Sequence, residues 1–291
     1  MIDEAVAPPA LRPPSGPDRW RKWWLAAFAL IIVAGAGFAV GRRIEQDPAP
    51  VAVPPIAVPV MSSPPSLSPP PSASSPPPSA SPSRTPPKPV LQLPGAVPTR
   101  GSGQFAYAAG RGPVVGSKGQ LRRFRVAVEK GSNEDAADFA GQVAATLGDP
   151  RSWTGGGQWR LQKVGGADPA DFTVYLATRE TAGRMCLMGG TNIRVGGRPY
   201  TSCRATGKAI INLDRWRLSA TPYVTAKVPL SIYRQYVINH EVGHELGHHH
   251  QGCPRAGGPA PVMVQQTLTL RGCHAYAWPR LKGKALTGPS L

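Results

Sequence analysis

The segment Asn239 to His250, NHEVGHELGHHH, concentrates the residue types that bind metals and move protons. His240 and His244 stand four positions apart, so on a helix they share a face and can direct imidazole nitrogens to one point, at the ~2.0–2.1 Å that zinc–histidine bonds require. Glu241 follows the first of them. From there its carboxylate can reach a water at the metal without entering the coordination shell, and can take that water's proton as it attacks a carbonyl. A third ligand cannot come from the same straight helix. Gly247 can adopt a positive φ, end the helix and return the chain, which brings His250 towards the other two. His248 and His249 are the alternatives for that third place. Catalytic zinc keeps a fourth position open for water and substrate. The spacing HExxH alone also fits a solvated helix face, but its extension to HExxHxxGxxH makes coincidence a poor explanation. This reading makes zinc the cofactor, with His240, His244 and His250 as ligands, Glu241 as catalytic base and Gly247 as support.

The elements that must position these residues follow from periodicity. A helix is expected over Ser231–Gly247, and another over Asn133–Leu147, which opens with a capping residue and early acids. Alternating or continuous apolar runs predict strands at Arg122–Val128, Trp159–Val164, Phe172–Ala177 and Gly207–Leu213. Strand, helix, several strands and helix give an α+β or α/β domain with a mixed sheet, α+β being the class expected, over residues 101–291.

The rest of the chain sets the location. Residues 23–41 are an uncharged apolar run whose helical length of roughly 28 Å is close to that of a bilayer's hydrocarbon core, so they predict one transmembrane helix and leave 1–22 as a cytoplasmic tail. A cleaved signal peptide is the competing reading, since Ala34-Gly35-Ala36 resembles a cleavage site. Residues 42–100 are dominated by Pro, Ser and Ala, cannot build a core, and predict a disordered stalk. Cys186, Cys203, Cys253 and Cys273 form no CxxC pair; an even, widely spaced set in an exported domain predicts two disulfides. Three pairings are open, the most local joining Cys186 to Cys203 and Cys253 to Cys273. Free buried cysteines are the alternative. These points place the C-terminal domain outside the plasma membrane. The net charge of +17 favours acidic partners such as anionic cell-envelope polymers, or serves solubility alone. With no RNP, helix-turn-helix or finger motif, no nucleic acid is expected.

HEVGHELGHHH resembles the extended zinc motif of the metzincin clan of metallopeptidases, and Met263 in PAPVMVQQT resembles the clan's Met-turn. The resemblance implies a metzincin-like mixed sheet with an active-site helix, and an apolar floor at Met263 beneath the zinc ligands. It implies a zinc metallopeptidase that hydrolyses protein or peptide substrates, and a substrate laid along the sheet edge, with Ile193–Tyr200 or Lys208–Leu213 as candidates for that edge. One departure is Gln265, where several metzincins carry a transition-state tyrosine; His274 and Tyr276 are weak substitutes. The layout of anchor, stalk and HEVGH domain with four cysteines also resembles a family of actinobacterial envelope proteins of unknown function. The other functions the residues allow are a zinc-dependent amidase acting on peptidoglycan and a non-catalytic, zinc-containing envelope-binding module.

Overall fold

The computed structural model describes residues 88–291; the expected cytoplasmic tail, the expected transmembrane helix and most of the expected stalk lie outside the described residues. Among the described residues, no helix is long and apolar enough to cross a membrane.

The main sheet is mixed. β3 (Gln120–Glu129), β4 (Trp159–Lys163), β5 (Phe172–Ala177) and β9 (Lys208–Asn212) run parallel in the order β4-β3-β5-β9. Antiparallel strands complete it: β8 (Cys203–Ala205) beyond β9, β2 (Val114–Val115) beyond β4, and β1 (Phe105–Tyr107) on the far half of β3. Arg194–Val195 (β6) and Arg198–Pro199 (β7) form a separate two-stranded ribbon, as do Arg280–Leu281 (β10) and Lys284–Ala285 (β11).

The central strands are buried on both faces because alternate side chains enter different cores. Val174, Leu176, Ala209 and Ile211 pack with Phe139, Val143 and Leu147 of α1 (Ala136–Gly148) and with Tyr233, Tyr236 and Val237 of the long helix α5 (Leu230–Glu245). Ala177 and Ile210 face the other way, against Ala182 and Cys186 of α2 (Arg179–Met188). Each large side chain buried in this way is worth roughly 1.5–3 kcal/mol, so the two cores fix the register that carries α5. Two short helices, α3 (Leu213–Leu218) and α4 (Thr221–Thr225), lead from β9 into α5.

The expected strands and both expected helices are present, Phe172–Ala177 with the expected bounds and the others with shifted ends. α1 is capped by Asp135, whose Oδ1 accepts from the Ala137 and Asp138 amides at 2.8 and 2.9 Å. Helix α2 was not foreseen. Its sequence is mostly polar with Gly183 in the middle, and Gly183 is there because a Cβ would stand 2.7 Å from Pro199. The chain is also held against the fold ahead of the expected start at Gly101. The Leu93 amide donates to the Arg217 carbonyl, Leu230 donates to Val90, and Glu180 donates to Thr99. Such isolated backbone bonds leave no periodic signature in a proline-rich segment.

Both disulfides form in the most local pairing, Cys186–Cys203 and Cys253–Cys273, and no cysteine among the described residues is free. The first ties α2 to β8; the second closes the loop that carries Met263.

Candidate metal centre

His240 and His244 lie in the last two turns of α5, one turn apart. Leu246 caps the helix, and Gly247 takes φ +91°. The Gly247 amide donates to the His244 carbonyl at 3.2 Å and the His248 amide to the Gly243 carbonyl at 2.9 Å, the paired bonds of a Schellman turn. That turn reverses the chain and brings His250 back. One ligand atom from each of His240, His244 and His250 lies within 4.8 Å of the other two.

The tautomers are set from outside the triad. His240 Nδ1 donates to the Val262 carbonyl at 2.8 Å, and His244 Nδ1 donates to the His248 carbonyl at 2.8 Å. A carbonyl only accepts, so each Nδ1 carries the hydrogen and each Nε2 keeps its lone pair. Burial, then the charge of His244, pulls His240 well below the ordinary imidazole range. Burial brings His244 down to about 4, and it also lowers His250. Neutral imidazoles with inward lone pairs are what a metal needs. His244 Nε2 and His250 Nε2 are 3.1 Å apart, close to the ~3.3 Å edge of a tetrahedron whose metal–nitrogen bonds are ~2.0–2.1 Å. The donor set therefore fits a metal ion.

The other histidines fall outside the centre. His248 stacks on Trp153, with ring centroids 4.2 Å apart, and His249 is exposed, so His250 takes the third place. His274 and Tyr276 do not line the cleft; Tyr276 donates its hydroxyl to the Arg280 carbonyl.

Glu241 is 4% exposed and lines the same cleft as the triad, a depression of about 320 Å³. Burial pushes its carboxyl up to about 8; a divalent cation at the triad opposes that shift. The cleft is also lined by Thr191–Val195 and Thr201–Arg204, the latter including the first residues of β8. The sheet edge beside the centre is thus β8, between the two segments expected to supply it. Lys208–Asn212 is interior, paired on both sides, and Arg194–Pro199 belongs to its own ribbon.

Met263 is buried beneath α5. A Cβ at Gly243 would stand 2.7 Å from its sulfur and 2.6 Å from the Trp153 ring, so the glycine of HEVGH lets both pack against the helix. The Met263 carbonyl accepts from the Gln251 amide at 3.0 Å, which links the floor to the residue after His250. Three residues in this support were not found from sequence. Asn239 donates to the Ala277 carbonyl and accepts from Ser152 at 2.7 Å, while Trp153 donates its ring N–H to the Asn239 carbonyl. Gln266, fully buried, accepts from Tyr223 and donates to the Pro261 and Tyr276 carbonyls. Asn239 adjoins the motif and could have been suspected there; Trp153 and Gln266 carry no spacing signal.

Three imidazoles gathered at the end of a helix on a mixed sheet define the class: an α/β protein with a buried three-histidine site that can bind a metal ion. The chain belongs to the family described as Protein of unknown function (DUF3152), whose profile matches residues 92–280. That span contains the triad, Glu241, Met263 and both disulfides. No match was found among curated proteins or among solved structures.

Proposed function

We propose that this chain is a membrane-anchored, extracytoplasmic zinc metallopeptidase of metzincin type, with His240, His244 and His250 as zinc ligands and Glu241 as general base. The observation that carries the reading is that three imidazoles, two of them with the Nε2 lone pair preset, and one buried carboxyl group line a single cleft. A purely structural metal site has no use for that carboxylate. Zinc, when bound, supplies a Lewis acid that acidifies water and polarises a carbonyl.

The chain's own residues do the remainder. The Val262 and His248 carbonyls hold two imidazoles in one tautomer and one orientation. Glu241, once a cation at the triad keeps it ionised, takes a proton from the attacking water and returns it to the leaving amine, and burial makes its carboxylate the more basic for that task. Gln265 lines the cleft, and its side-chain amide has no protein partner among the described residues. It is the candidate donor to the developing oxyanion where other metzincins use tyrosine. β8 pairs with β9 along one edge only, which leaves the other edge able to take an extended peptide as a further strand. The apolar run at 23–41 supports the anchor, and the disulfides suit an oxidising exterior.

The test is a metal analysis of the purified chain with a cleavage screen on mixed peptides and on peptidoglycan. About one zinc per chain with peptide cleavage is expected. Cleavage of peptidoglycan cross-bridges alone would make the enzyme an envelope amidase, and a zinc-loaded chain that cleaves neither would contradict the enzymatic reading.

A further inference from the structure

Two arginines and a single carboxylate line the cleft. The carboxylate is Glu241; the arginines are Arg194 and Arg204, both from the lining segment between Thr191 and Arg204. Arg194 is exposed and donates through Nη1 to the Gly197 carbonyl at 2.8 Å. No carboxylate of the described residues pairs with it. Arg204 is held differently. Its Nε donates to Glu245 Oε1 at 2.9 Å, and the same carboxylate accepts from the Gly207 and Lys208 amides at 3.2 and 3.1 Å. The guanidinium is thus fixed from behind, while its two terminal nitrogens have no protein partner among the described residues.

We propose that the cleft selects an acidic peptide segment, with substrate carboxylates received by Arg194 and Arg204 beside the three-histidine centre; this rests on the peptidase reading above. A planar guanidinium anchored through Nε presents a ready fork to a carboxylate. A basic segment would meet the unpaired charge of Arg194 and find no acceptor at the terminal nitrogens of Arg204, and a neutral one would leave both to water. A peptide fits better than a polysaccharide because the wall ends in a strand with one unpaired edge. The cleft also lacks a stacking platform for sugar rings: its one aromatic besides the histidines is Tyr236, whose hydroxyl is engaged with the Val264 carbonyl and the Gln266 amide.

The experiment uses the zinc-loaded full chain and two matched pools of fluorescent random dodecapeptides, one with Asp and Glu and the other with Asn and Gln at the same positions. The acidic pool should be cleaved faster, and Arg194→Gln should shrink that preference by about fivefold, the upper range for a solvent-accessible ion pair. Arg194→Glu should shift the preference towards a lysine-containing pool, whereas Lys282→Gln, remote from the cleft wall in sequence and absent from its lining, should change nothing. Equal cleavage of acidic and neutral pools by the wild type would overturn the selectivity and leave the peptidase reading intact. If neither pool is cleaved, the peptidase reading fails, and fluorescence anisotropy with the Glu241→Gln chain decides the selectivity alone. Tighter binding of the acidic pool, lost in Glu241→Gln with Arg194→Gln, sustains it, and equal binding overturns it.

Discussion

At the residue scale, the candidate ligands were legible because metal-binding chemistry forces a spacing: four positions for a shared helix face, then a glycine and a third histidine beyond it. What holds the ligands was not legible, because a carbonyl such as that of Val262 can belong to any residue type. Between His248, His249 and His250 the sequence left a choice, and the Schellman turn at Gly247 decides it by directing His248 onto Trp153 and His250 into the centre. Replacing His250 by alanine should weaken metal binding by more than the roughly 10- to 100-fold seen on removing an outer partner of a ligand. Alanine at His248 or His249 should leave metal stoichiometry unchanged in atomic-absorption measurements, and metal loss in either would reassign the third ligand. Gly243→Ala should cost about 1–3 kcal/mol, because the added methyl overlaps Met263 and Trp153. Chemical denaturation checks this, with a wild-type midpoint as the contrary result.

At the element scale, the strands of the parallel sheet and helices α1 and α5 could be read because each buries a periodic apolar face in one continuous core. Helix α2 and edge strand β8 could not. α2 buries small and polar side chains, Thr181, Ala182, Gly183 and Cys186, and three-residue β8 exposes its central Arg204, so neither shows a hydrophobic period. Their placement rests instead on the Cys186–Cys203 disulfide and on Glu129, a buried carboxylate that accepts from Thr178 and Thr181 at the start of α2. The two disulfides should therefore separate in function. Each closes a loop of similar length, worth about 3 kcal/mol in the chain-entropy model. Removing Cys253–Cys273 by serine replacement should lower stability and loosen the metal, since that loop carries Met263 and the Val262 carbonyl. Removing Cys186–Cys203 should lower stability but raise KM rather than release metal, because it holds only the cleft wall. Equal metal loss in both variants would contradict this division.

At the scale of the molecule, the centre joins parts distant in sequence: α5, the Met263 loop and the C-terminal residues, where the Leu291 amide donates to the His250 carbonyl and the Gly252 amide donates to the Pro289 carbonyl. A ligand that binds only this assembled state stabilises the whole domain, by about 2.7 kcal/mol when present at a hundred times its dissociation constant. Chelation should accordingly lower the melting temperature, and zinc should restore it. An unchanged transition would mean that the triad does not hold metal in solution. The most direct measurement of the central claim compares wild type with Glu241→Gln for zinc content and peptide hydrolysis in parallel. Because glutamine keeps the side chain's size but cannot accept the proton, the account predicts equal zinc and a fold that melts alike, with hydrolysis lower by about a hundred- to ten-thousandfold. Hydrolysis at the wild-type rate by a zinc-loaded Glu241→Gln chain would contradict it.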